Sequence, residues 1–307
     1  MSGSRGVLVA VVLLALALGG YGFKLLRESG QRAAAVDQLV ADVESEIAKP
    51  SPDSSELSAL ATRIRKVEGH ESNRALRVAL ARIDIERGRE EQALRDLEPL
   101  VLLGDGTAVE LHLVAWCLLR SQQRGGDPGR ARKALDTAEA AYALSSDPAD
   151  LRLALQAAIR AQDDAAKGRV AELLVGRHAD TRDGRFARLV QQFSESTPAA
   201  EVASVVAEYE QPPEELALLL VVQELQAGRP AEALRYLEPL LGEAPALLDV
   251  RNFAAYANHL LAASPGIQES ERANCLRKRD AHLEWLLQKA PPEDSRRKVW
   301  AEMRDVR

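Results

Sequence analysis

Aromatic residues are scarce in this chain, since Phe, Trp and Tyr together make up 4% of its 307 residues. Beyond about residue 25, the sequence also lacks the alternation of β-branched and polar residues between turn residues that is typical of β-strands. It is rich instead in Ala, Leu, Glu and Arg, which are strong helix formers. We therefore expect an all-α fold without a sheet.

Cysteine is almost absent too, and the two that occur, Cys117 and Cys275, each lie in a stretch with helical apolar spacing. A disulfide between them stays open, but burial as small apolar side chains is the favoured interpretation. A basic surplus is also missing, because the formal net charge is -6 and the pI is about 5.6. Proteins that bind nucleic acid normally carry such a surplus to neutralise phosphates, so we expect no nucleic-acid partner.

Motifs that carry catalytic chemistry or hold cofactors do not occur. There is no phosphate-binding G-x-x-x-x-G-K-[ST], no dinucleotide-binding G-x-G-x-x-G and no G-x-S-x-G nucleophile elbow. The five histidines are scattered, and the carboxylates near His282 are two residues away, so they face different sides of a helix. We predict neither an enzyme nor a bound metal or cofactor. Two basic clusters, residues 120–133 and 277–279, are interpreted as solvated surface.

A long hydrophobic run lies at the amino terminus, where 18 residues between Arg5 and Lys24 carry no charge. A helix of this length spans roughly 27 Å, close to the thickness of the hydrocarbon core of a bilayer. We predict a membrane anchor at residues 6–26 after a short tail, residues 1–5. The alternative is a cleaved secretory signal, because small residues follow the apolar core at suitable spacing. The counts of Lys and Arg on either side do not decide the orientation.

An internal repeat organises the rest of the chain. Residues 88–100 (GREEQALRDLEPL) and 228–240 (GRPAEALRYLEPL) are identical at nine of 13 positions, and they lie 140 residues apart, or four units of 35. Weaker copies fall between them near Gly129, Ala166 and Ser196. The first interval is longer than the others, which predicts an insertion at residues 122–129. Pro99 and Pro239 occupy the same phase, where a bend or an early stop of the helix is expected.

This pattern resembles the tetratricopeptide repeat, whose period is about 34 residues. The resemblance rests on the turn glycines Gly88 and Gly228 and on small and large apolar residues at fixed distances after them, namely Ala93, Ala233, Leu97, Leu237 and Pro245. The family's early Trp, Gly and Tyr are not evident in the unit that ends at Gly88. The resemblance implies an α-solenoid of helical hairpins in degenerate repeats, and it covers roughly residues 70 to 290.

Domain boundaries follow from prolines and helix-start signals. We predict an amphipathic juxtamembrane helix and linker at residues 27–53, a repeat domain at 54–290 and a capping helix at 291–307. Asp53 and Glu56 resemble a capping box that starts a helix over about 54–67. The tail, anchor and repeat domain together resemble bacterial envelope proteins whose repeats face the periplasm. We therefore expect a single-pass membrane protein of that orientation, or a soluble periplasmic one if the signal is cleaved.

The resemblance also implies function. In tetratricopeptide proteins a concave groove, lined mainly by the first helix of each hairpin, binds peptides or amphipathic helices of partner proteins. Here those helices would include residues 75–86 and 215–226, and we predict Arg82, Glu86 and Gln226 as partner contacts. The expected function is a membrane-anchored scaffold or assembly factor. The alternative is a non-catalytic structural subunit built permanently into a larger membrane complex.

Overall fold

The computed structural model describes residues 31–49, 51–102, 104–123, 129–193, 197–209, 212–243, 247–290, 292 and 294–305. The described residues fall into two compact units, divided between Leu100 and Val101. Every regular element in the described ranges is helical, as expected from the composition. The predicted anchor, residues 6–26, lies outside the described residues. Among the helices that are described, none is both long enough and apolar enough to cross a membrane.

The first unit contains four α-helices, of which α1 covers residues 31–47. The others are α2 (Ser54–Arg65), α3 (Arg74–Glu86) and α4 (Glu90–Val101), with a short 3₁₀ helix at His70–Ser72 before α3. Leu39 and Val43 of α1 are buried in one core with residues of α2 and α3. The helix predicted next to the membrane is therefore part of a packed core.

Helix α2 begins as its sequence predicts but is capped by different partners. The Asp53 carboxylate accepts a hydrogen bond from the Ser55 backbone N–H at 2.7 Å, which makes Asp53 the N-cap residue. The second half of the expected capping box is replaced, because Glu46 of the α1 region, and not Glu56, accepts from the Asp53 N–H at 2.9 Å. A carboxylate from the preceding helix thus satisfies the backbone group that Glu56 was expected to reach.

The second unit contains α5 to α15. These helices are Ala108–Gln123, Arg130–Ser145, Pro148–Arg160, Asp164–His178, Arg182–Gln192, Ala199–Val206, Glu214–Gln226, Pro230–Glu243, Leu248–Ala262, Glu269–Lys289 and Arg297–Asp305. Each helix packs against the next along the chain, and the first helices α5, α7 and α9 also contact one another, as do α11 and α13. Cys117 and Cys275 are both buried free thiols.

The helices pair into hairpins whose spacing reproduces the predicted repeat. The first helices α3, α5, α7, α9, α11 and α13 begin at residues 74, 108, 148, 182, 214 and 248, so the offsets are 34, 40, 34, 32 and 34 residues. The long offset agrees with the predicted insertion, but the extra residues are not confined to a loop. Helices α5 and α6 have 16 residues each, whereas α3, α7 and α11 have 13.

Three hairpins share one turn geometry. In the first of them the Arg89 N–H donates to the Asp84 carbonyl at 2.8 Å and the Gly88 N–H to the Ile85 carbonyl at 2.9 Å, which is the Schellman arrangement. The same two bonds recur at residues 158–163 and 224–229. The turn needs a positive φ, and it is provided by Gly88 (66°), Gln162 (54°) and Gly228 (70°). The glycines of the sequence repeat therefore mark a conserved hairpin turn within this chain.

Two expectations about helix ends turn out differently. Helix α4 continues for two residues past Pro99 and α12 for four past Pro239, so neither helix stops at its proline. At the carboxyl end, α15 packs against α14, and its Trp300 is 1% exposed. The Trp300 indole N–H donates to the Asn252 side-chain oxygen of α13 at 2.7 Å. An amphipathic helix thus covers the last hairpin, as predicted for residues 291–307.

Candidate protein-binding face

The residues predicted to contact partners occupy equivalent positions in different hairpins. Arg82 and Glu86 are the ninth and thirteenth residues of α3, and Gln226 is the thirteenth of α11. Residues four apart lie on one face of a helix, so the fifth, ninth and thirteenth residues of each first helix form a stripe. We call this set the first-helix stripe. It comprises Val78, Arg82 and Glu86 in α3; His112, Trp116 and Arg120 in α5; Arg152, Gln156 and Arg160 in α7; Leu218, Val222 and Gln226 in α11; and Asn252, Tyr256 and Leu260 in α13.

The predicted contact residues differ in their surroundings. Arg82 forms an ion pair with Glu44 of α1 and is therefore engaged inside the first unit. Glu86 is exposed at the end of α3, where it lines a cavity. Gln226 is exposed at the last position of α11, in the second unit. Glu86 and Gln226 are thus accessible to a partner, whereas Arg82 would first have to exchange its intramolecular carboxylate.

The stripe of α7 is covered by the amino-terminal end of α11. Arg160 forms ion pairs with Glu214 at 2.9 Å and with Glu215 at 3.2 Å. Gln156 donates to Glu215 at 2.8 Å, and Arg120 of α5 pairs with Glu214 at 3.2 Å. The Arg160 side chain is only 5% exposed. Two adjacent glutamates therefore join three hairpins of the second unit.

The same network continues along α7 toward α9. Arg152 donates to the Gln156 side-chain oxygen at 3.1 Å and forms an ion pair with Asp183 at 3.1 Å. The Tyr209 hydroxyl donates to Asp183 at 2.8 Å. Burial raises the pKa of the Tyr209 hydroxyl, and the negative charge of Asp183 raises it further, so the phenol stays protonated. Asp183 thus accepts from a neutral donor and is paired with a cation.

Charge is balanced in this network, where three arginines (Arg120, Arg152 and Arg160) meet three carboxylates (Asp183, Glu214 and Glu215). Burial raises the pKa of the Glu215 carboxyl, and the nearby Arg160 opposes that rise. A buried charge is tolerated when it is paired and hydrogen-bonded. We conclude that the α7 stripe is an internal joint that a partner does not reach.

Sequence reasoning missed this joint and placed Arg120 in a solvated basic cluster. The Arg120 side chain is 22% exposed and paired with Glu214, 94 residues further along the chain. In the other basic cluster, Arg279 is 3% exposed and pairs with Asp280 at 2.8 Å. The available signal was the spacing of Arg152, Gln156 and Arg160, three polar residues four apart on an otherwise apolar helix.

Helix α5 also has its stripe occupied by internal contacts. His112 Nδ1 lies 2.6 Å from an oxygen of Asp150, the third residue of α7. The guanidinium of Arg120 lies 5.5 Å from the centre of the Trp116 ring, a distance suited to a cation–π contact. Ser145 donates to Asp150 and makes no bond to the histidine in this arrangement. The three side chains therefore lack the order of a Ser-His-Asp triad, in which the serine contacts the histidine.

The stripe of α11 and α13 is apolar and open. Leu218 and Leu260 are half-buried and pack against one hydrophobic core shared by the two helices. Val222 is also half-buried, and Tyr256 is 41% exposed. The backbones of α11 and α13 are in contact, so these side chains lie on neighbouring helices. A protein surface that combines aliphatic and tyrosine side chains suits the apolar face of a helix.

No group of three or more His, Cys, Asp or Glu side chains within the described ranges is arranged to hold a metal ion. The carboxyl-terminal histidine that sequence analysis weighed lies in α14, where His282 Nδ1 is 3.2 Å from an Arg251 guanidinium nitrogen. Burial, with the positive charges of Arg251 and Lys278, lowers the pKa of His282 to about 4. His282 is therefore neutral at pH 7.

Comparison with known proteins gives a limited result. No protein-family model matches the chain, and no curated protein matches it significantly. Among solved structures, a tetratricopeptide repeat protein from Parabacteroides merdae superposes with a TM-score of 0.47 and 12% sequence identity, covering 88% of this chain and 98% of that one. The hairpin register and the stripe are accordingly argued from this chain's own contacts.

Proposed function

We propose that this chain is a non-enzymatic, membrane-anchored scaffold or assembly factor of the tetratricopeptide type. The 34-residue offset of its hairpins and their common Schellman turn support the repeat type. A hydrophobic run at residues 6–26 supports the anchor, and the resemblance to envelope proteins supports a periplasmic repeat domain. In this proposal the anchor keeps the repeats at the membrane, where they hold other proteins.

The partner-binding face in this proposal is the apolar stripe of α11 and α13. The observation that carries it is the contrast between hairpins of the same unit. In α5 and α7 the stripe is satisfied by ion pairs and hydrogen bonds, whereas in α11 and α13 it leaves half-buried leucines beside a tyrosine that is 41% exposed. The face suits an amphipathic helix of a partner, which would cover the apolar side chains while Gln226 remains at its edge.

Capture of partners from membranes tests the face directly. The intact chain is crosslinked in native membranes and purified, alongside the variants Tyr256→Asp and Tyr236→Asp. Tyr236 lies on the second helix α12 and is 40% exposed, so it matches Tyr256 in exposure but lies outside the stripe. Loss of partners with Tyr256→Asp and their retention with Tyr236→Asp would support the face. Equal retention by both variants would exclude it.

A second arm of the experiment tests the anchor. Removal of residues 6–26 should release the chain from the membrane fraction and reduce capture of membrane partners. Protease added to sealed vesicles of known orientation reports the placement of the repeats. Digestion only after the cytoplasmic side is opened would contradict the periplasmic placement. A chain that is found only in complex, and that loses solubility whenever the partner is deleted, would indicate the alternative role of a permanent subunit.

A further inference from the structure

A cavity in the first unit lies beside the hairpin turn between α3 and α4. Its volume is about 340 Å³, and its lining comprises Pro52, Ser54, Leu57, Glu86, Arg87 and Arg89. All six residues belong to the first unit. Two guanidinium groups and one carboxylate therefore surround a space with an apolar contribution from Pro52 and Leu57. The proposed scaffold function makes no use of this cavity.

The equivalent turn of the second unit shows what normally becomes of such an arginine. There Arg229 follows the turn glycine, and its guanidinium contacts Glu224 with two hydrogen bonds, at 2.5 and 3.1 Å. Glu224 lies four residues before Gly228, as Asp84 lies four before Gly88. The backbone bonds of the two turns are the same. Arg229 and Arg89 are thus equivalent residues with equivalent acids.

The acid in the first unit is one methylene shorter, and it does not reach its arginine. The nearest approach of Arg89 to the Asp84 carboxylate is 3.9 Å, which is too long for a hydrogen bond. Neither Asp84 oxygen accepts a hydrogen bond from any described residue, although the side chain is only 1% exposed. Burial raises the pKa of the Asp84 carboxyl, which weakens its claim on the positive charge of Arg89.

The second arginine of the cavity is also available. Arg87 makes no side-chain ion pair or hydrogen bond among the described residues, and Ala227 stands at its position in the other turn. Glu86 at the rim supplies one negative charge against these two positive charges. One further negative charge would balance the lining, so the cavity fits a monoanionic carboxylate better than a phosphate dianion. Arginine binds carboxylates through paired, charge-assisted hydrogen bonds.

We propose that this cavity is a second recognition site, which binds an acidic side chain or the terminal carboxylate of a partner peptide through Arg87 and Arg89. The inference rests on the proposed function, because it assumes that the chain binds partner proteins. It adds a polar site in the first unit to the apolar face of α11 and α13. A partner recognised by both would present a carboxylate in one segment and an amphipathic helix in another.

An array of immobilised 12-residue peptides tests the site with the full chain in detergent micelles. The peptides come in sets that are identical except for Glu, Gln or phosphoserine at the central position. We expect about tenfold more chain to be retained on Glu members than on Gln members, as one charge-assisted interaction would give. We also expect no preference for phosphoserine over Glu. The double variant Arg87→Ala/Arg89→Ala should lose the Glu preference, whereas Arg229→Ala should keep it.

Several results would overturn the inference. Equal retention of Glu and Gln members by the wild-type chain would do so, as would a Glu preference that survives Arg87→Ala/Arg89→Ala. Stronger retention on phosphoserine would contradict the monoanion. Binding to phosphatidylserine vesicles that depends on the two arginines, without any peptide preference, would assign the cavity to a lipid headgroup. Far-ultraviolet circular dichroism of each variant verifies that its helices are intact.

The outcome is separable from the proposed function. If Tyr256→Asp abolishes partner capture but the array shows no Glu preference, only the cavity inference fails. If the array shows the preference while Tyr256→Asp leaves every partner bound, the α11–α13 face fails and the acidic-peptide site stands.

Discussion

Replacing Arg160 by methionine should destabilise the second unit strongly. Methionine keeps a long apolar stem but removes the charge that lies 2.9 Å from Glu214 and 3.2 Å from Glu215. The two glutamates are 10% and 12% exposed, so water does not replace the lost cation. Removing one partner of a buried ion pair costs about 3–5 kcal/mol, because it leaves an uncompensated buried charge. For a unit of this size the melting temperature should fall by roughly 6 to 20 °C.

The matched control is Arg169→Met. Arg169 also pairs with a glutamate, Glu139, but its side chain is 59% exposed. An exposed ion pair contributes at most about 1 kcal/mol, so this variant should unfold close to the wild type. Both variants are followed by tryptophan fluorescence in a urea titration. All three tryptophans, at 116, 285 and 300, lie in the second unit, so this signal reports that unit alone.

The cost of Arg160→Met should also depend on pH. Burial already raises the pKa of Glu215, and Arg160 opposes that rise, so the variant should raise it further. A carboxyl whose folded pKa is raised loses stability as pH increases from its ordinary value of 4.5 through the folded value. The difference between variant and wild type should therefore be smaller at pH 5 than at pH 7.5. An Arg160→Met variant that unfolds no earlier than Arg169→Met, or a difference independent of pH, would refute the buried joint.

Three further predictions concern other parts of the chain. Gly228→Ala should cost about 1 kcal/mol, because φ is 70° although the added methyl meets no atom within 4 Å, whereas Gly176→Ala, inside α8 with equal space, should be stabilising; urea titration of the pair measures both. Trp300→Ala should cost about 3–5 kcal/mol in unfolding followed by circular dichroism, because the indole is buried under the last hairpin. Asp84→Asn should raise the urea midpoint at pH 7.5 and have less effect at pH 4.5, since burial raises the pKa of Asp84 and makes ionisation destabilising above 3.8; a larger gain at the lower pH would contradict the burial argument.

The hairpins could be predicted from the sequence because their signals are local. Gly88 and Gly228 mark a turn that needs a positive φ, and the 140-residue separation of two nearly identical segments fixes the register. The same turn at Gln162 has no glycine, and so the hairpin of α7 and α8 was recognised only through its apolar phase. Helices α3 and α11 begin within a residue of the predicted segments.

The state of each side chain in the stripe could not be predicted in the same way. Whether Arg120 faces solvent or Glu214 depends on how three hairpins pack, and the partners are 94 residues apart. Equally, the capping carboxylate of α2 comes from Glu46, seven residues before Asp53, because α1 folds back onto α2. The repeat register identifies the correct face of each helix. Only tertiary packing determines where that face is open.

Photocrosslinking at the stripe tests the central claim most directly. A photoreactive p-benzoyl-phenylalanine is placed at Tyr256, on the α13 stripe, or at Tyr236, on α12, and the full chain is irradiated in native membranes. The two tyrosines are 41% and 40% exposed, so accessibility alone predicts equal yields. The proposed face predicts discrete crosslinked proteins from position 256 and none from position 236. Equal patterns at both positions, or crosslinks from position 236 alone, would contradict it.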